Sequence, residues 1–147
     1  MVIGILGYGV VGRGVYKIAS KNNIKVKRIL ERNISDPILQ TNSIEDIVDD
    51  PEIDTVVECL GGDDVPFKYC AKALRSGKNV VTSNKKMLVK YLKEINDLAL
   101  ENNVSLLYSS ACGGGIPVLH EINRIVDIDK IVSVAGIMNG TSNYILD

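Results

Sequence analysis

Charge of one sign is the first thing this chain lacks. Its 17 Lys and Arg stand against 18 Asp and Glu, a net charge of −1 with the signs interspersed. That leaves no electrostatic footprint for nucleic acid, and no such partner is expected. Long hydrophobic runs are missing too. None approaches the ~18 residues of a membrane span, so no membrane association is expected. The start has no basic segment and its short apolar run is broken by glycines, so no signal peptide is expected. Cysteine is scarce. Cys59, Cys70 and Cys112 are an odd number without C-x-x-C spacing, which reads as reduced thiols in a cytoplasmic protein. The one histidine, His120, has no ligand partner at metal spacing and reads as a surface or packing residue. Cys112 has no histidine placed by sequence to activate it, so it is not read as a nucleophile. Internal repeats and low-complexity stretches are absent. What remains is a 147-residue chain, 46% apolar, long enough for one domain or one domain plus a fragment.

What is present begins at the second residue. Val2-Ile3-Gly4-Ile5-Leu6 is the apolar run of a parallel strand buried on both faces. Gly7, Gly9 and Gly12 follow in G-x-G-x-x-G spacing. The first glycine permits a tight turn, the second lets backbone approach a pyrophosphate, and the third lets helix and strand pack closely. Val11, Val15, Ile18 and Ala19 then recur at helical spacing. The free N–H groups of that helix, from Val10 and Val11 on, would face the pyrophosphate. A glycine-rich turn alone is weak evidence, but this one follows a strand and opens a helix. Ile24 to Leu30 reads as the second strand. Glu31 at its end lies about 20 residues past the glycines, where an acidic residue meets the ribose 2′-OH. Arg32 beside it would attract a 2′-phosphate that Glu31 would repel. NAD and NADP both stay open, as does a pair of solvated charges.

Strands and helices alternate along the rest. Ser43 is expected to cap a short helix, with Asp46 completing a capping-box-like pattern. Asp54 to Leu60 reads as a strand. Pro66 to Ser76 reads as a helix with Phe67, Cys70, Ala71 and Leu74 on one face, ended by Gly77. Asn79 to Thr82 is another strand. Lys86 to Asn102 is the clearest helix, with Leu88, Tyr91, Leu92, Ile95, Leu98 and Ala99 in one stripe. Val104 to Tyr108 is a strand, and Tyr91 and Tyr108 read as core residues. A glycine-rich loop from Cys112 to Pro117 leads to a helix near Val118 to Ile125. Lys130 to Met138 reads as a last strand. This alternation predicts an α/β fold, a doubly wound parallel sheet of the Rossmann dinucleotide-binding type. The segments at the carboxyl ends of the strands are expected to converge on one cleft: Gly7–Gly12, Leu60-Gly61-Gly62, Ser83-Asn84-Lys85 and Ser109–Pro117, with Gly114 among the cofactor-binding positions.

Four segments together resemble a known family. They are Val56-Val57-Glu58 with Gly61-Gly62, Val80 to Lys85, Gly114-Gly115-Ile116-Pro117, and Gly136 to Leu146 with its Asn-Gly-Thr-Ser-Asn-Tyr-Ile-Leu run. In this order they resemble the N-terminal half of homoserine dehydrogenase, across essentially the whole chain. The resemblance implies NAD(P)-dependent interconversion of homoserine and aspartate semialdehyde, small-molecule substrates on the route to threonine and methionine. It implies that Lys85 is the catalytic lysine of the family's Ala-Asn-Lys motif. An ammonium there would stabilise charge building on the carbonyl oxygen. The other reading of Lys85 is a solvated charge before a helix, a role that suits Lys86 better. Gly140 and Thr141 match the loop where cofactor and substrate domain meet, and a helix cap there is compatible with that role.

There are departures. Ser83 stands where the family usually has alanine. Ser109 stands where many members carry a glutamate that helps bind a monovalent cation, so no side-chain metal ligand is expected, and main-chain carbonyls around Cys112 to Gly114 stay open as cation contacts. The family's acidic substrate ligands and a second lysine lie beyond the Tyr-Ile-Leu segment. Residues 1–129 are therefore expected to form the NAD(P)-binding domain and 130–147 the beginning of a substrate and dimerisation domain. Such a chain should bind a dinucleotide, turn over little homoserine alone, and form a homodimer through its exposed last strand. A stand-alone NAD(P)-binding or sensing module without catalysis is the alternative. A third reading, the cofactor domain of another oxidoreductase acting on a small aldehyde or amine, fits the Asn-Gly-Thr-Ser-Asn-Tyr-Ile-Leu run poorly.

Overall fold

Strand β1, Val2–Leu6, is the centre from which the rest is built. In the computed structural model, which describes residues 1–136, Ile3, Ile5 and Leu6 are buried, as a strand with neighbours on both sides requires. Those neighbours are β2, Lys25–Leu30, and β4, Thr55–Glu58, both parallel to it. Outside them lie β3, Gln40–Thr41, beside β2, and β5, Asn79–Thr82, beside β4. At the far edge β6, Leu106–Leu107, pairs with β5. The order is β3-β2-β1-β4-β5-β6, all parallel among the described residues. It reverses between β1 and β4, the switch point where open α/β sheets bind ligands.

Helices make the crossovers. Helix α1, Val10–Lys21, packs on β1 and β2; Val15, Tyr16 and Ala19 join Ile3, Ile5 and Ile29 in one apolar cluster. The short α2, Glu45–Val48, packs on β2 and buries Ile47 and Val48. Helix α3, Asp64–Arg75, packs on β4 and β5, and α4, Lys85–Glu101, packs on α3 and β6. Met87, Leu88, Ile95 and Ala99 are the buried stripe of α4. Full burial of one such aliphatic side chain contributes about 1.5–3 kcal/mol. Gly77, at φ +74°, ends α3 as expected. Among the described residues no helix is long and apolar enough to cross a membrane.

The structure corrects several expectations. Strand β3 was not foreseen; two residues carry no period. Ser43 does accept an N–H at the start of α2, but from Glu45 at 3.2 Å. Asp46 instead accepts the Thr41 hydroxyl at 2.5 Å, so no capping box forms. Leu92 leaves the stripe of α4 and is 40% exposed. The helix is kinked at Tyr91 (φ −126°, ψ 15°), whose ring stacks on Phe67 at 4.1 Å while its hydroxyl bonds Asp64. Neither Tyr91 nor Tyr108 is buried.

Contacts divide the chain into two compact units, Met1–Tyr108 and Ser109–Asp147. In the second, the start of the expected loop is a helical turn, α5 (Ser109–Gly113), followed by α6, Val118–Val126. His120 on α6 is exposed. Residues 130–136 of the expected last strand join no sheet among the described residues, so they supply no edge of the kind the homodimer expectation used. The remainder of that segment, with Gly140 and Thr141, lies outside the described residues.

Candidate functional site

The turn after β1 is shaped by two glycines. Gly7 sits at φ +94°, and a Cβ there would lie 2.9 Å from Leu60 and 3.1 Å from the Cys59 carbonyl. At Gly12 a Cβ would stand 2.0 Å from the Gly7 carbonyl oxygen, so only glycine lets α1 start this close to β1. The chain thereby turns sharply enough to aim α1 at the carboxyl end of the sheet. Gly9, the N-cap, supplies no side-chain bond, and the first turn holds no acidic residue. The N–H groups there keep their capacity for an anion, with the helix dipole adding to it. Val10, at 92% exposure, and Val11 lie open at this mouth.

A cleft of about 670 Å³ opens where β1, β2 and β4 end. Gly7, Gly9, Glu31, Arg32, Leu60, Gly61 and Gly62 all line it. Glu31 is held in place from three directions. Its N–H donates to the Thr41 carbonyl at 2.8 Å. Its carboxylate accepts the Tyr8 N–H at 3.1 Å and the Arg32 N–H at 2.8 Å. Glu31 thus bridges the glycine turn and the end of β2. An ionised carboxylate has about four acceptor sites, so two remain for hydroxyl donors in the cleft. Arg13 steadies the same turn: its Nε donates to the Tyr8 carbonyl at 3.0 Å, and its guanidinium lies 5.8 Å from the Tyr8 ring centroid.

The opposite wall is built from the end of β4. Glu58 is fully buried. Burial pushes its carboxyl above the usual range, against the Thr82, Leu60 and Asn84 hydrogen bonds that favour the charged form. Thr82 donates its hydroxyl to Glu58 at 2.5 Å, and the Leu60 N–H donates at 2.6 Å. The Asn84 N–H donates to the Thr82 hydroxyl at 3.0 Å. The Asn84 amide donates to the carbonyls of Leu60 and Gly62 and accepts the Met87 N–H, capping α4. Cys59 also lines the cleft, but burial, with Glu58 adding to it, pushes its thiol up to about 12. The buried Cys70 is also raised well above its ordinary value, by burial first. Both stay protonated at neutral pH and are poor nucleophiles.

Asp63 and Asp64, where α3 begins, line the cleft as well and were not singled out in the sequence. Two carboxylates would repel a phosphate. Lys90 balances them, 2.5 Å from Asp64 and 3.7 Å from Asp63, and its hydrogen bond holds the Asp64 carboxyl below its ordinary range. Lys86 lies 4.0 Å from Asp63. Asn42, which follows the unforeseen β3, is another cleft residue that carried no signal. Ser83 and Asn84 connect β5 to α4, and Lys85 is the first residue of α4, exposed and outside the cleft lining. Gly114, at φ +59°, belongs to the second unit, between α5 and α6.

The cradle fits a dinucleotide: a glycine turn, an open helix N-terminus, a carboxylate fixed at the end of β2 and a cleft at the switch point. Comparisons with known proteins agree. A family model described as homoserine dehydrogenase, NAD binding domain, matches residues 7–109. A second, described as homoserine dehydrogenase, matches residues 117–147. The homoserine dehydrogenase of Bacillus subtilis (strain 168) is 35% identical, over 98% of this chain and 37% of that protein. A crystal structure of a homoserine dehydrogenase from Thiobacillus denitrificans superposes with a TM-score of 0.90 at 35% identity, covering 99% of this chain and 38% of that one. A hyperthermophilic archaeal homoserine dehydrogenase in complex with NADPH gives 0.69 at 25% identity, covering 80% of this chain and 46% of that one. The chain spans 37% of the length of the Bacillus relative. A parallel six-stranded sheet with its glycine turn at the switch point, matched over residues 7–109, is an NAD-binding domain, and the chain belongs to the homoserine dehydrogenase family.

Proposed function

We propose that this chain is the cofactor-binding portion of an NAD(P)-dependent homoserine dehydrogenase, oxidising L-homoserine to L-aspartate 4-semialdehyde on the route to threonine and methionine. The observation that carries the reading is Glu31, bonded to the Tyr8 N–H at the edge of the cleft. Its remaining acceptors suit ribose hydroxyls, and the first turn of α1 suits the pyrophosphate. Leu60 to Gly62 form the opposite wall. When bound, the nicotinamide supplies hydride exchange with the substrate carbon. The NADPH held by the archaeal relative supports a cofactor of this class.

Lys85 is the residue that acts on the substrate oxygen. Lys85 and Lys86 open α4, whose first turn has no acidic residue. Cations at the positive end of a helix run against its dipole, and a need for an ammonium at this point supplies the reason. Gly140 and Thr141 meet the substrate, Ser83, Asn84 and Gly114 border the cofactor, and residues from 130 onward belong with the substrate domain. By the same family reading the protein is cytoplasmic and a homodimer.

NADH and NADPH fluorescence, each titrated with the 147-residue chain, test the cofactor half. Saturable binding is expected, and no binding at millimolar cofactor overturns the proposal. Homoserine-dependent cofactor reduction, in an enzyme of the relatives' length containing this sequence, tests the reaction. Lys85→Ala should lower turnover about 100-fold while NADH affinity barely moves. Unchanged turnover would remove Lys85 from the chemistry.

A further inference from the structure

Glu58 has no part in the function proposed above, yet it is a buried acid at the end of the strand that forms one wall of the cleft. A carboxylate fully removed from water is costly unless its partners repay the loss. Here the partners are specific. One oxygen takes the Leu60 N–H at 2.6 Å, the other the Thr82 hydroxyl at 2.5 Å. Thr82 then accepts the Asn84 N–H at 3.0 Å. Asn84 returns to the same loop, donating to the Leu60 carbonyl at 3.2 Å and the Gly62 carbonyl at 2.9 Å. Its side-chain oxygen caps α4 through the Met87 N–H at 3.0 Å. The ring of bonds runs Leu60, Glu58, Thr82, Asn84 and back to Leu60. It joins a cleft wall to the residue immediately before Lys85.

The position of this ring gives it a particular reach. A fold of this order consists of two mononucleotide-binding halves meeting at the switch point. The glycine turn and Glu31 belong to the half built on β1–β3. Leu60–Gly62 and Asn84 belong to the half built on β4–β6, where the nicotinamide end of a dinucleotide falls. We propose that Glu58 is a positioning residue. From inside the sheet it sets the Leu60–Gly62 wall and the start of α4 as one unit, and so governs affinity for the nicotinamide half of the cofactor without touching it. This rests on the dinucleotide reading above.

The test is calorimetric titration of the 147-residue chain with NADH and, separately, with ADP, which needs only the first half. In Glu58→Ala, the Leu60 N–H and the Thr82 hydroxyl lose their shared acceptor. NADH affinity should fall about tenfold or more, while ADP affinity stays within about twofold. Glu58→Gln keeps an oxygen for the Leu60 N–H and offers an N–H to the Thr82 hydroxyl, and both affinities should stay near those of the unaltered chain. A merely structural role would lower NADH and ADP binding together. That outcome overturns the proposal, as does Glu58→Gln behaving like Glu58→Ala, or Glu58→Ala binding NADH normally. Thr82→Val breaks the same ring at nearly constant volume. It should show the same NADH-only loss, and it decides the matter if Glu58→Ala does not fold. If the unaltered chain binds neither ligand, the dinucleotide reading falls with this one. If it binds both and the variants show no split, only the role of Glu58 falls.

Discussion

Two glutamates stand at the carboxyl ends of the strands that flank β1. Glu31 follows β2 and Glu58 closes β4. Each accepts a hydrogen bond from a backbone N–H just beyond its own strand, Glu31 from Arg32 and Glu58 from Leu60. There the likeness ends. Glu31 lines the cleft and has acceptor capacity left over. Glu58 is sealed in the sheet and spends both oxygens on its own fold. One half of the cleft is organised around a carboxylate that faces the opening, the other around a carboxylate that faces inward. Residue type does not decide which; solvent access and partner geometry do.

Gly12 and Gly61, one from each half, differ in what they tolerate, and this difference should give the largest effect. A Cβ at Gly12 would meet the Gly7 carbonyl oxygen at 2.0 Å, a backbone atom that cannot step aside. A Cβ at Gly61 meets nothing within 4 Å. Gly12→Ala should therefore cost about 3 kcal/mol or more, and Gly61→Ala less than about 0.5 kcal/mol. Urea denaturation of both variants measures this. Equal losses would mean that the first half is no tighter than the second.

Of the two carboxylates, only the outward-facing one should influence cofactor choice. A 2′-phosphate placed beside Glu31 meets like charge; removing that charge should shift the NADP-to-NAD affinity ratio about tenfold or more toward NADP. Arg32→Ala should shift the ratio the other way, since its side chain is the nearby cation of the cleft lining. Glu58→Gln should leave the ratio alone. Paired titrations with both cofactors give the answer. A ratio that ignores Glu31 would show that the end of β2 does not read the ribose.

These assignments were unevenly legible in the sequence. The glycine turn and Glu31 were readable because a tight turn and an offset of about 20 residues are local constraints. The stripe of α4 was readable from its period, except at Tyr91, where the helix is kinked, and at Leu92 beside it, neither of which is buried. The ring through Glu58, Thr82 and Asn84 was not readable, because it joins residues 24 positions apart that only the sheet register brings together. Strand β3 escaped for the same reason: two residues are a strand only by virtue of a partner. The part of the expected Lys130 to Met138 strand that is described, residues 130–136, failed in the opposite direction. Its apolar residues suited a strand, but residues 130–136 join no strand among the described residues, and pairing is what makes a strand.

The smallest expected effect is in the pH dependence of stability, where buried and exposed glutamates should differ in sign. Burial raises the folded-state pKa of Glu58 above its ordinary 4.5, so the folded protein binds this proton more tightly than the unfolded chain does. The stability Glu58 contributes is complete below pH 4.5 and is lost as pH rises through the folded-state value. Each unit of displacement corresponds to about 1.4 kcal/mol. Relative to E58Q, which does not titrate, the unaltered chain should lose stability as pH rises from 4.5 and then level off. Glu45 provides the contrast. Hydrogen bonds from Lys72 first, and then from Ser43, lower its carboxyl to about 2. Its contribution should be present above pH 4.5 and vanish as pH falls toward 2, so the chain measured against E45Q should slope the opposite way. Thermal melts of the three proteins across the acid range give both slopes. A rising slope for Glu58 would mean that its hydrogen bonds outweigh its burial, and that the inward carboxylate is held charged.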